Sequence, residues 1–396
     1  MPRLAYFVSH PIQYQAPLLR LLATDPNIDL KVFFYSDFSV KSYHDREFGQ
    51  AIEWDTPLLE GYDHQFLECW GSKKRQNLIQ QPIAHNIYQQ LKQEQFDAVW
   101  IHGWHWLCSL QALLVAEHLN IPILLRGESN GLKEPQQPLK YWAKNQFLNW
   151  LFAKVSGFLC VGTLNRRFYQ GHGIEESRLF SVPYAVDNSF FRERAKLAHH
   201  SQKELRQSLN LQPNRPIILY AAKLIEKKRP QDLLAAYRLL SVDGTKEPEP
   251  YLLFVGDGNL RSQLEESAKT TGWESIRFLG FRNQSEMPKF YDLCDVFVLP
   301  SSFEPWGLAI NEVMNTGKAV VVSDKVGCVP DLIEDGDNGR IFPAGDITAL
   351  ADSIKWAIYN RHSAGDKGFR RIQKWSFRED IEGIKQVLEQ LKMGVA

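Results

Sequence analysis

The sequence is poor in the residues that build disulfide-rich and zinc-binding proteins. Its 396 residues include five cysteines, an odd number, and no two of them form a CxxC pair. This pattern gives no support for a zinc ribbon or a thioredoxin-type redox site. Cys160 and Cys294 lie in strand-like apolar runs, where cysteine behaves as a small apolar residue. The pattern is typical of a protein in a reducing cytoplasm.

Long apolar runs and an excess of one charge are also missing. No run approaches the roughly 18 apolar residues that a transmembrane helix needs. The first apolar run, residues 4–8, is too short for a signal peptide, and we therefore predict a cytoplasmic protein. The sequence has 46 lysines and arginines together, and also 46 aspartates and glutamates together. The net charge is zero, which gives no support for a nucleic-acid partner.

The chain does contain a repeated alternation of short apolar runs and helical patterns. Because domains usually hold about 100–200 residues, this length favours two of them. Continuous apolar strands between helices indicate parallel sheets that are buried on both faces. We predict an α/β protein with doubly wound domains at residues 1–190 and 191–375, and an amphipathic helix within 376–396. Ligands of such sheets bind beyond the carboxyl ends of the strands.

The segment with most chemical information follows a predicted strand that ends near Pro300. Glu304 lies in a loop there, and Glu312 lies in the helix that follows Gly307. A carboxylate on such a loop can accept hydrogen bonds from sugar hydroxyls, and free N–H groups at a helix start suit phosphate oxygens. Two surface carboxylates are the alternative. The surrounding glycines favour a ligand site.

A basic cluster and a glycine turn follow two strands of the second domain. Lys223 and Lys228 flank the loop after one strand, where cations can stabilise a departing diphosphate. A solvated charged loop is the alternative. Gly256 lies in the turn after the next strand and permits close backbone approach. Because Arg261 takes the last position of the GxGxxG fingerprint, a NAD site is disfavoured.

Several motifs in this half occur in an order that resembles glycosyltransferase family 4, whose members have the GT-B fold of two Rossmann-like domains across a cleft. The match is specific because the order and spacing agree across more than a hundred residues. The motifs are VPYAVD at 182–187, AAKLIEKKRP at 221–230, LLFVGDGNLRSQLE at 252–265, IRFLGF at 276–281 and FEPWGLAINEVMNTGKAVVVSD at 303–324.

The resemblance implies transfer of a hexosyl unit from a nucleoside diphosphate sugar, with retention of the anomeric configuration. UDP is the default nucleotide, and neither a metal ion nor a cofactor is implied. The segment 376–396 would cross back to the first domain. By position, the resemblance implies that Glu304 contacts the donor sugar and that Lys223 and Lys228 contact the diphosphate. Sugar and phosphate contacts are implied for Trp306, Gly307 and Leu308, and a ribose contact for Glu312. Arg282 and Gly256 would contact the donor through base and backbone contacts.

The acceptor side is predicted from polar residues at strand ends of the first domain, where the family pattern is less closely followed. The acceptor would be a saccharide or a lipid-linked hydroxyl compound. Many family members have a histidine near the position of Arg126 in this chain. For each histidine among the candidates, the alternative is a structural role as a packed or capping residue. The candidates are His10, Gln13, His102, Arg126 and Glu128.

Residues 140–154 mix aromatic side chains with lysines. This composition is typical of a helix at a membrane surface, but also of a helix packed on its own sheet, which is the favoured interpretation. Peripheral membrane contact and oligomeric state stay open. Two other functions compete with transfer: a catalytically silent sugar-nucleotide-binding partner, and a related enzyme such as an epimerase or a phosphorylase. The joint presence of Glu304, Glu312, Lys223 and Lys228 argues against a silent protein.

Overall fold

The computed structural model describes residues 1–45, 47–70, 82–132, 137–241, 249–270 and 274–394. The chain divides into two compact units. The first unit holds Met1–Tyr43, Thr56–Tyr184 and Ser376–Ala396, and the second holds His44–Asp55 and Ala185–Trp375. The division after residue 184 is close to the predicted one after 190. The assignment of His44–Asp55 to the second unit was not predicted.

The described chain alternates strands and helices through both units. Its strands are β1 (Arg3–Val8), β2 (Asp29–Phe34), β3 (Tyr43–Asp45), β4 (Gln50–Ile52), β5 (Asp63–Phe66), β6 (Cys69–Trp70), β7 (Ile83–Ala84), β8 (Ala98–His102), β9 (Ile123–Arg126), β10 (Gly157–Cys160), β11 (Leu179–Ser181), β12 (Ile217–Ala221), β13 (Tyr251–Val255), β14 (Ile276–Phe278), β15 (Val296–Leu299), β16 (Ala319–Ser323) and β17 (Gly339–Phe342).

The α-helices of the described chain lie between these strands and at its C-terminal end. They are α1 (Ala16–Thr24), α2 (Ile87–Glu94), α3 (Leu107–His118), α4 (Pro138–Phe152), α5 (Thr163–Gly171), α6 (Asn188–His199), α7 (Gln202–Ser208), α8 (Pro230–Ser241), α9 (Arg261–Thr270), α10 (Met287–Leu293), α11 (Leu308–Met314), α12 (Val329–Leu332), α13 (Ile347–Ile372) and α14 (Phe377–Lys392).

Each unit is built on one parallel sheet. The first sheet has the strand order β11-β10-β9-β8-β1-β2-β5, and the second has the order β14-β13-β12-β15-β16-β17. The chain therefore reverses its direction of winding between β1 and β8, and again between β12 and β15. The crevice beyond the carboxyl ends of the strands at such a switch point is where open α/β sheets bind ligands. The topology thus marks two candidate sites, one in each unit.

The strands at the switch point of the second unit are apolar along their whole length, as expected for strands covered by helices on two faces. All four residues of β15 are buried, and in β12 only the last residue is partly accessible. In the first unit, helices α2 to α5 pack on one face of the sheet through a shared core that includes Phe7, Val99 and Leu125. These cores fix the loops that leave the strand ends.

The last helix belongs to the first unit. Ser376 and Glu379 form a capping box at its start, in which each side chain satisfies a backbone N–H of the first turn. The helix lies directly on β11: a Cβ added at Gly383 would lie 2.0 Å from the carbonyl oxygen of Ser181. Within the described residues, no helix combines the length and the apolar character needed to cross a bilayer.

Candidate functional site

An ion pair lies at the switch point of the second unit. Lys228 follows β12 and donates a hydrogen bond to Oε1 of Glu304, which follows β15. The same oxygen accepts a hydrogen bond from Oγ of Ser301 at 3.1 Å. The Glu304 side chain is only 9% exposed, so water screens this pair poorly. The two residues that the sequence placed on separate loops are therefore in direct contact.

The backbone around Glu304 is held by a neighbouring loop. The Glu304 N–H donates to the carbonyl oxygen of Lys325 at 3.0 Å, and the Gly327 N–H donates to the carbonyl oxygen of Glu304 at 3.1 Å. Gly307 has a φ of 100°, and a Cβ there would lie 2.8 Å from the side chain of Val326. A glycine is therefore needed at 307 for steric and conformational reasons, whatever its contact with a ligand.

Lys223 already has two carboxylate partners in the second unit. Its Nζ lies 3.2 Å from Oδ2 of Asp45 and 2.6 Å from Oε2 of Glu47. Burial opposes ionisation of Asp45, but the N–H of Phe48 and the ammonium of Lys223 lower its pKa below the usual value. Sequence reasoning missed this contact because Asp45 precedes Lys223 by 178 residues.

The glycine turn after β13 has a structural role. A Cβ at Gly256 would lie 2.0 Å from the carbonyl oxygen of Ala222, and one at Gly258 would lie 2.4 Å from that of Leu224. The turn thus lets the loop after β13 pass against the loop that carries Lys223. The predicted ligand contact of Gly256 stays a prediction.

Helix α11 and the loop before it contain other residues that the sequence predicts to contact the donor sugar nucleotide. Trp306 is buried: its Nε1 donates to Oδ1 of Asn311 at 2.8 Å, and its ring stacks on Trp375 at 5.5 Å. The predicted sugar and phosphate contacts of Trp306 and Leu308 stay predictions. Glu312 is half-buried, and burial raises its pKa to about 7, although the Tyr291 hydroxyl, donating at 2.5 Å, opposes the shift.

Arg282 lies along helix α10, beside the inserted segment His44–Asp55. Its guanidinium is 3.5 Å from Glu286, and its charge lies 5.7 Å from the ring centre of Phe290. The segment is anchored next to it, because Nδ2 of Asn283 donates to the carbonyl oxygen of Glu53 at 2.6 Å. Across the described residues, no cluster of three or more His, Cys, Asp or Glu side chains could hold a metal ion.

The switch point of the first unit holds a second polar network. His102, at the end of β8, lies 3.1 Å from Nε2 of Gln15 and 3.4 Å from the hydroxyl of Tyr184. That hydroxyl donates to Oε1 of Glu128 at 2.5 Å. Burial lowers the pKa of His102 to about 3, with smaller contributions from Arg126 and His10, so its imidazole is neutral at physiological pH. Glu128 itself is exposed.

The loop after β1 carries the other two predicted acceptor residues. His10 is half-buried, its Nδ1 lies 2.8 Å from Oγ of Ser9, and burial lowers its pKa to about 4. Gln13 is half-buried as well, but it is Gln15, two residues later, that contacts His102. Gln15 and Tyr184 were missed, although Tyr184 lies in the VPYAVD motif used for the resemblance.

Arg126, a predicted acceptor residue, lies in a buried ion pair of the first unit. The side chain is 2% exposed, and its Nη2 lies 2.9 Å from Oδ1 of Asp380 on α14. The same nitrogen donates to the carbonyl oxygens of Val182 and Pro183 at 3.1 and 3.0 Å, and the charge lies 4.7 Å from the Tyr184 ring centre. These contacts hold the Arg126 side chain against α14 and the loop after β11. The predicted acceptor contact of Arg126 stays a prediction.

Comparison with known proteins finds a family match within the second unit. Residues 201–370 match the model of the group 1 glycosyl transferases. An uncharacterised glycosyltransferase of Methanocaldococcus jannaschii is 30% identical over 188 residues, which are 47% of this chain and 43% of that protein. The sulfoquinovosyl transferase of Arabidopsis thaliana is 29% identical over 207 residues, 50% of this chain and 38% of that protein. The matches thus span less than half the length of these relatives.

The whole chain also resembles solved structures. The Anabaena HepE protein, solved in complex with UDP and glucose, has a TM-score of 0.70 at 16% identity, over 98% of this chain and 100% of that chain. At this identity the likeness concerns the fold. It confirms the predicted GT-B class of two parallel-sheet α/β units, and the family match confirms the predicted resemblance to glycosyltransferases. Family 4 and retention stay predictions.

Proposed function

We propose, from the match of residues 201–370 to the group 1 glycosyl transferases, that this protein moves a hexosyl unit from a nucleoside diphosphate sugar to a hydroxyl group. The observation that carries the proposal is the contact between Lys228 and Glu304 at the switch point of the second sheet. A cation for the diphosphate and an acceptor of sugar hydroxyl hydrogen bonds lie side by side there. That is the chemistry needed where a sugar joins a phosphate.

In the proposed reaction, the bond between the anomeric carbon and the β-phosphate oxygen breaks, and the nucleoside diphosphate leaves with the electron pair. The acceptor oxygen forms the new bond on the same face, and its proton passes to the departing phosphate oxygen. Lys228 and Lys223 would stabilise the negative charge that develops on the diphosphate, without a metal ion. Glu304 would hold the sugar hydroxyls and Glu312 the ribose diol.

The identities of the donor and the acceptor are part of the same proposal. HepE was solved with UDP and glucose, which supports UDP as the first nucleotide to test. For the acceptor we propose a saccharide or a lipid-linked compound whose hydroxyl approaches Glu128 and Tyr184 in the first unit. We also propose a cytoplasmic location, which suits the free thiols of all five cysteines.

The donor is tested first by saturation-transfer NMR with UDP-, GDP- and ADP-sugars, followed by an assay of released nucleotide with the donor that binds best. We expect one nucleotide class to bind and to be hydrolysed slowly without an acceptor. NMR of the anomeric centre in the transferred product then tests retention. If no sugar nucleotide binds, the proposed function fails. Binding without any hydrolysis or transfer would instead favour a silent sugar-nucleotide-binding partner.

The carboxylates beside Lys223 are expected to weaken donor binding. In the double variant Asp45→Asn/Glu47→Gln, Lys223 loses two partners that compete with the diphosphate. Because each partly exposed ion pair contributes about 0.2–1 kcal/mol, the loss of both should lower the Kd for UDP by about twofold to thirtyfold. Isothermal titration calorimetry at low salt measures this change.

The control for this prediction is Glu60→Gln/Asp63→Asn, which changes the net charge equally at two exposed positions of the first unit. It should leave the Kd unchanged. An unchanged Kd in the Asp45/Glu47 variant would show that Lys223 does not contact the diphosphate. The role of Lys228 is tested separately by its own substitution.

A further inference from the structure

A chain of hydrogen-bonded side chains crosses the switch point of the first unit and ends at Glu128. Oη of Tyr6 donates to Oε1 of Gln15 at 2.6 Å. Nε2 of Gln15 lies within 3.3 Å of both ring nitrogens of His102. Nε2 of His102 lies 3.4 Å from Oη of Tyr184, which donates to Oε1 of Glu128 at 2.5 Å. Of these five side chains, only that of Glu128 is exposed.

The hydrogens of this chain have one consistent arrangement. The hydroxyl of Tyr184 has a single hydrogen and donates it to Glu128, so its oxygen accepts from Nε2 of His102. His102 is neutral, because burial lowers its pKa to about 3, and its one N–H is therefore at Nε2. Nδ1 then accepts from the amide of Gln15, whose carbonyl oxygen accepts from Tyr6. Every donor in the chain thus points towards Glu128.

Tyr184 is fixed by its packing as well as by these hydrogen bonds. It is 3% exposed, and its ring centre lies 4.7 Å from the charge of Arg126 and 5.8 Å from the ring centre of Tyr14. Burial raises the pKa of its hydroxyl, and the carboxylate of Glu128 raises it further, so the hydroxyl keeps its proton. A fixed donor of this kind restricts an exposed carboxylate that would otherwise sample several rotamers.

The position and charge of Glu128 favour an uncharged ligand. Glu128 lies two residues after β9, at the edge of the sheet where ligands bind. Among the other predicted acceptor residues, the charge of Arg126 is paired with Asp380 at 2.9 Å, and burial lowers the pKa of His10 to about 4 and that of His102 to about 3. The negative charge of Glu128 therefore dominates this set. It attracts hydroxyl hydrogens and repels phosphate groups.

We propose that Tyr184, supported by His102 and Gln15, is a positioning residue that orients Glu128 to accept a hydrogen bond from a hydroxyl of an uncharged acceptor saccharide. Oε1 of Glu128 is held by Tyr184, which leaves Oε2 for the acceptor. Tyr184 and His102 act through Glu128, which contacts the acceptor. This inference rests on the proposed transferase function and names the class of acceptor for the same reaction.

The partition of the donor between transfer and hydrolysis tests the proposal. The donor is the one found in the binding panel, and the acceptor probes are the methyl glycosides of glucose, galactose and mannose, with glucose 6-phosphate as the anionic comparison. We expect transfer to at least one methyl glycoside, at a higher rate than to glucose 6-phosphate. Glu128→Gln should lower the ratio of transfer to hydrolysis by about tenfold to 100-fold, since a hydrogen bond to a charged group is weakened.

Variants of the supporting residues separate positioning from a structural role. Tyr184→Phe should lower the ratio by about threefold to tenfold, because it removes one hydrogen bond to Glu128 and keeps the ring. The double variant Glu128→Gln/Tyr184→Phe should be no worse than Glu128→Gln alone, because Tyr184 acts through Glu128. His102→Gln keeps an N–H donor, so it should retain a higher ratio than His102→Leu.

The matched control is Tyr35→Phe, which removes another buried hydroxyl of the first unit, one that donates to Oγ of Ser109 at 3.1 Å. It should keep the ratio of the unchanged protein, and thermal unfolding checks that each variant is folded. An unchanged ratio in Tyr184→Phe, or additive losses in the double variant, would overturn the positioning role. Hydrolysis without transfer to any methyl glycoside would overturn the acceptor class. If the unchanged protein releases no nucleotide at all, the proposed function itself fails.

Discussion

Replacing Lys228 by alanine, or Glu304 by glutamine, is expected to lower turnover by about 100-fold to 1,000-fold in a protein that remains folded. Lys228 would supply the positive charge that the leaving diphosphate needs most as the glycosidic bond breaks. Glu304 would lose the negative charge that orders the donor sugar hydroxyls. Since both interactions strengthen in the transition state, the loss should fall on kcat rather than on KM alone.

The same loop offers a control for each substitution. Lys227 and Glu226 are exposed neighbours of Lys228, and Lys227→Ala and Glu226→Gln change the charge of the loop without touching the ion pair. We expect these variants to keep turnover within about twofold, because surface substitutions away from a site have small effects. The measurement is released nucleotide under saturating donor, with the donor found in the binding panel.

Two results would contradict the assignment. Near-normal turnover in both Lys228→Ala and Glu304→Gln would show that the pair is structural. Equal losses in the Lys227 and Lys228 variants would mean that only the general charge of the loop matters. The double variant Lys228→Ala/Glu304→Gln is informative as well: residues that act as one unit lose little more together than either does alone.

The contact between Lys228 and Glu304 was within reach of sequence reasoning. Both residues follow apolar runs that read as strands, and the carboxyl ends of parallel strands meet at one edge of a sheet. The sequence predicts these strands at residues 217–221 and 296–299, which are the bounds of β12 and β15. The partners of Lys223 were not within reach, because Asp45 belongs to a segment whose sequence shows nothing of its attachment to the second unit.

Tertiary packing also decided where helices end. The sequence predicts a helix at residues 348–360, but α13 continues to Ile372. Gly365 and Gly368 lie in the added part and are poor helix formers in isolation. Gly365 is required by the fold, because a Cβ there would lie 2.0 Å from the carbonyl oxygen of Gly317. A local pattern of residues cannot carry that information.

The polar stretch after residue 187 is a second case in which tertiary packing decides where helices form. The sequence indicates only a polar, charged stretch at residues 188–216, yet the chain forms α6 and α7 there. The start of α6 had a readable signal: Oδ1 of Asp187 accepts from the N–H of Phe190 at 2.9 Å, a common helix cap. The packing of α6 on α10 and α13 could not be predicted, because its contacts are distant in sequence. For example, Asn188 donates to the carbonyl oxygens of Ile372 and Trp375.

The second large effect is expected at the buried ion pair of the first unit. Substitution Arg126→Met should lower the free energy of unfolding of that unit by about 3–5 kcal/mol, because it leaves the carboxylate of Asp380 buried without its partner. Burial already raises the pKa of Asp380 above its usual range, and Arg126 is the group that opposes this shift. The carbonyl oxygens of Val182 and Pro183 lose a donor at the same time.

A control on the same helix separates burial from charge. Lys385 on α14 also forms an ion pair, with Asp25, but its side chain is 31% exposed. We expect Lys385→Met to cost about 0–1 kcal/mol, as exposed pairs do. Hydrogen exchange of amides in β9, β10 and α14 is the appropriate measurement, because a chain of two units need not unfold in one step.

The double variant Arg126→Met/Asp380→Leu decides between the two physical accounts of the loss. If the cost comes from one unpaired buried charge, replacing both partners by apolar side chains should restore most of the stability. If the cost comes instead from the lost hydrogen bonds to the carbonyl oxygens of Val182 and Pro183, the double variant should stay as unstable as Arg126→Met. A loss below about 1 kcal/mol in Arg126→Met itself would contradict both accounts and would reopen Arg126 to its first predicted role at the acceptor.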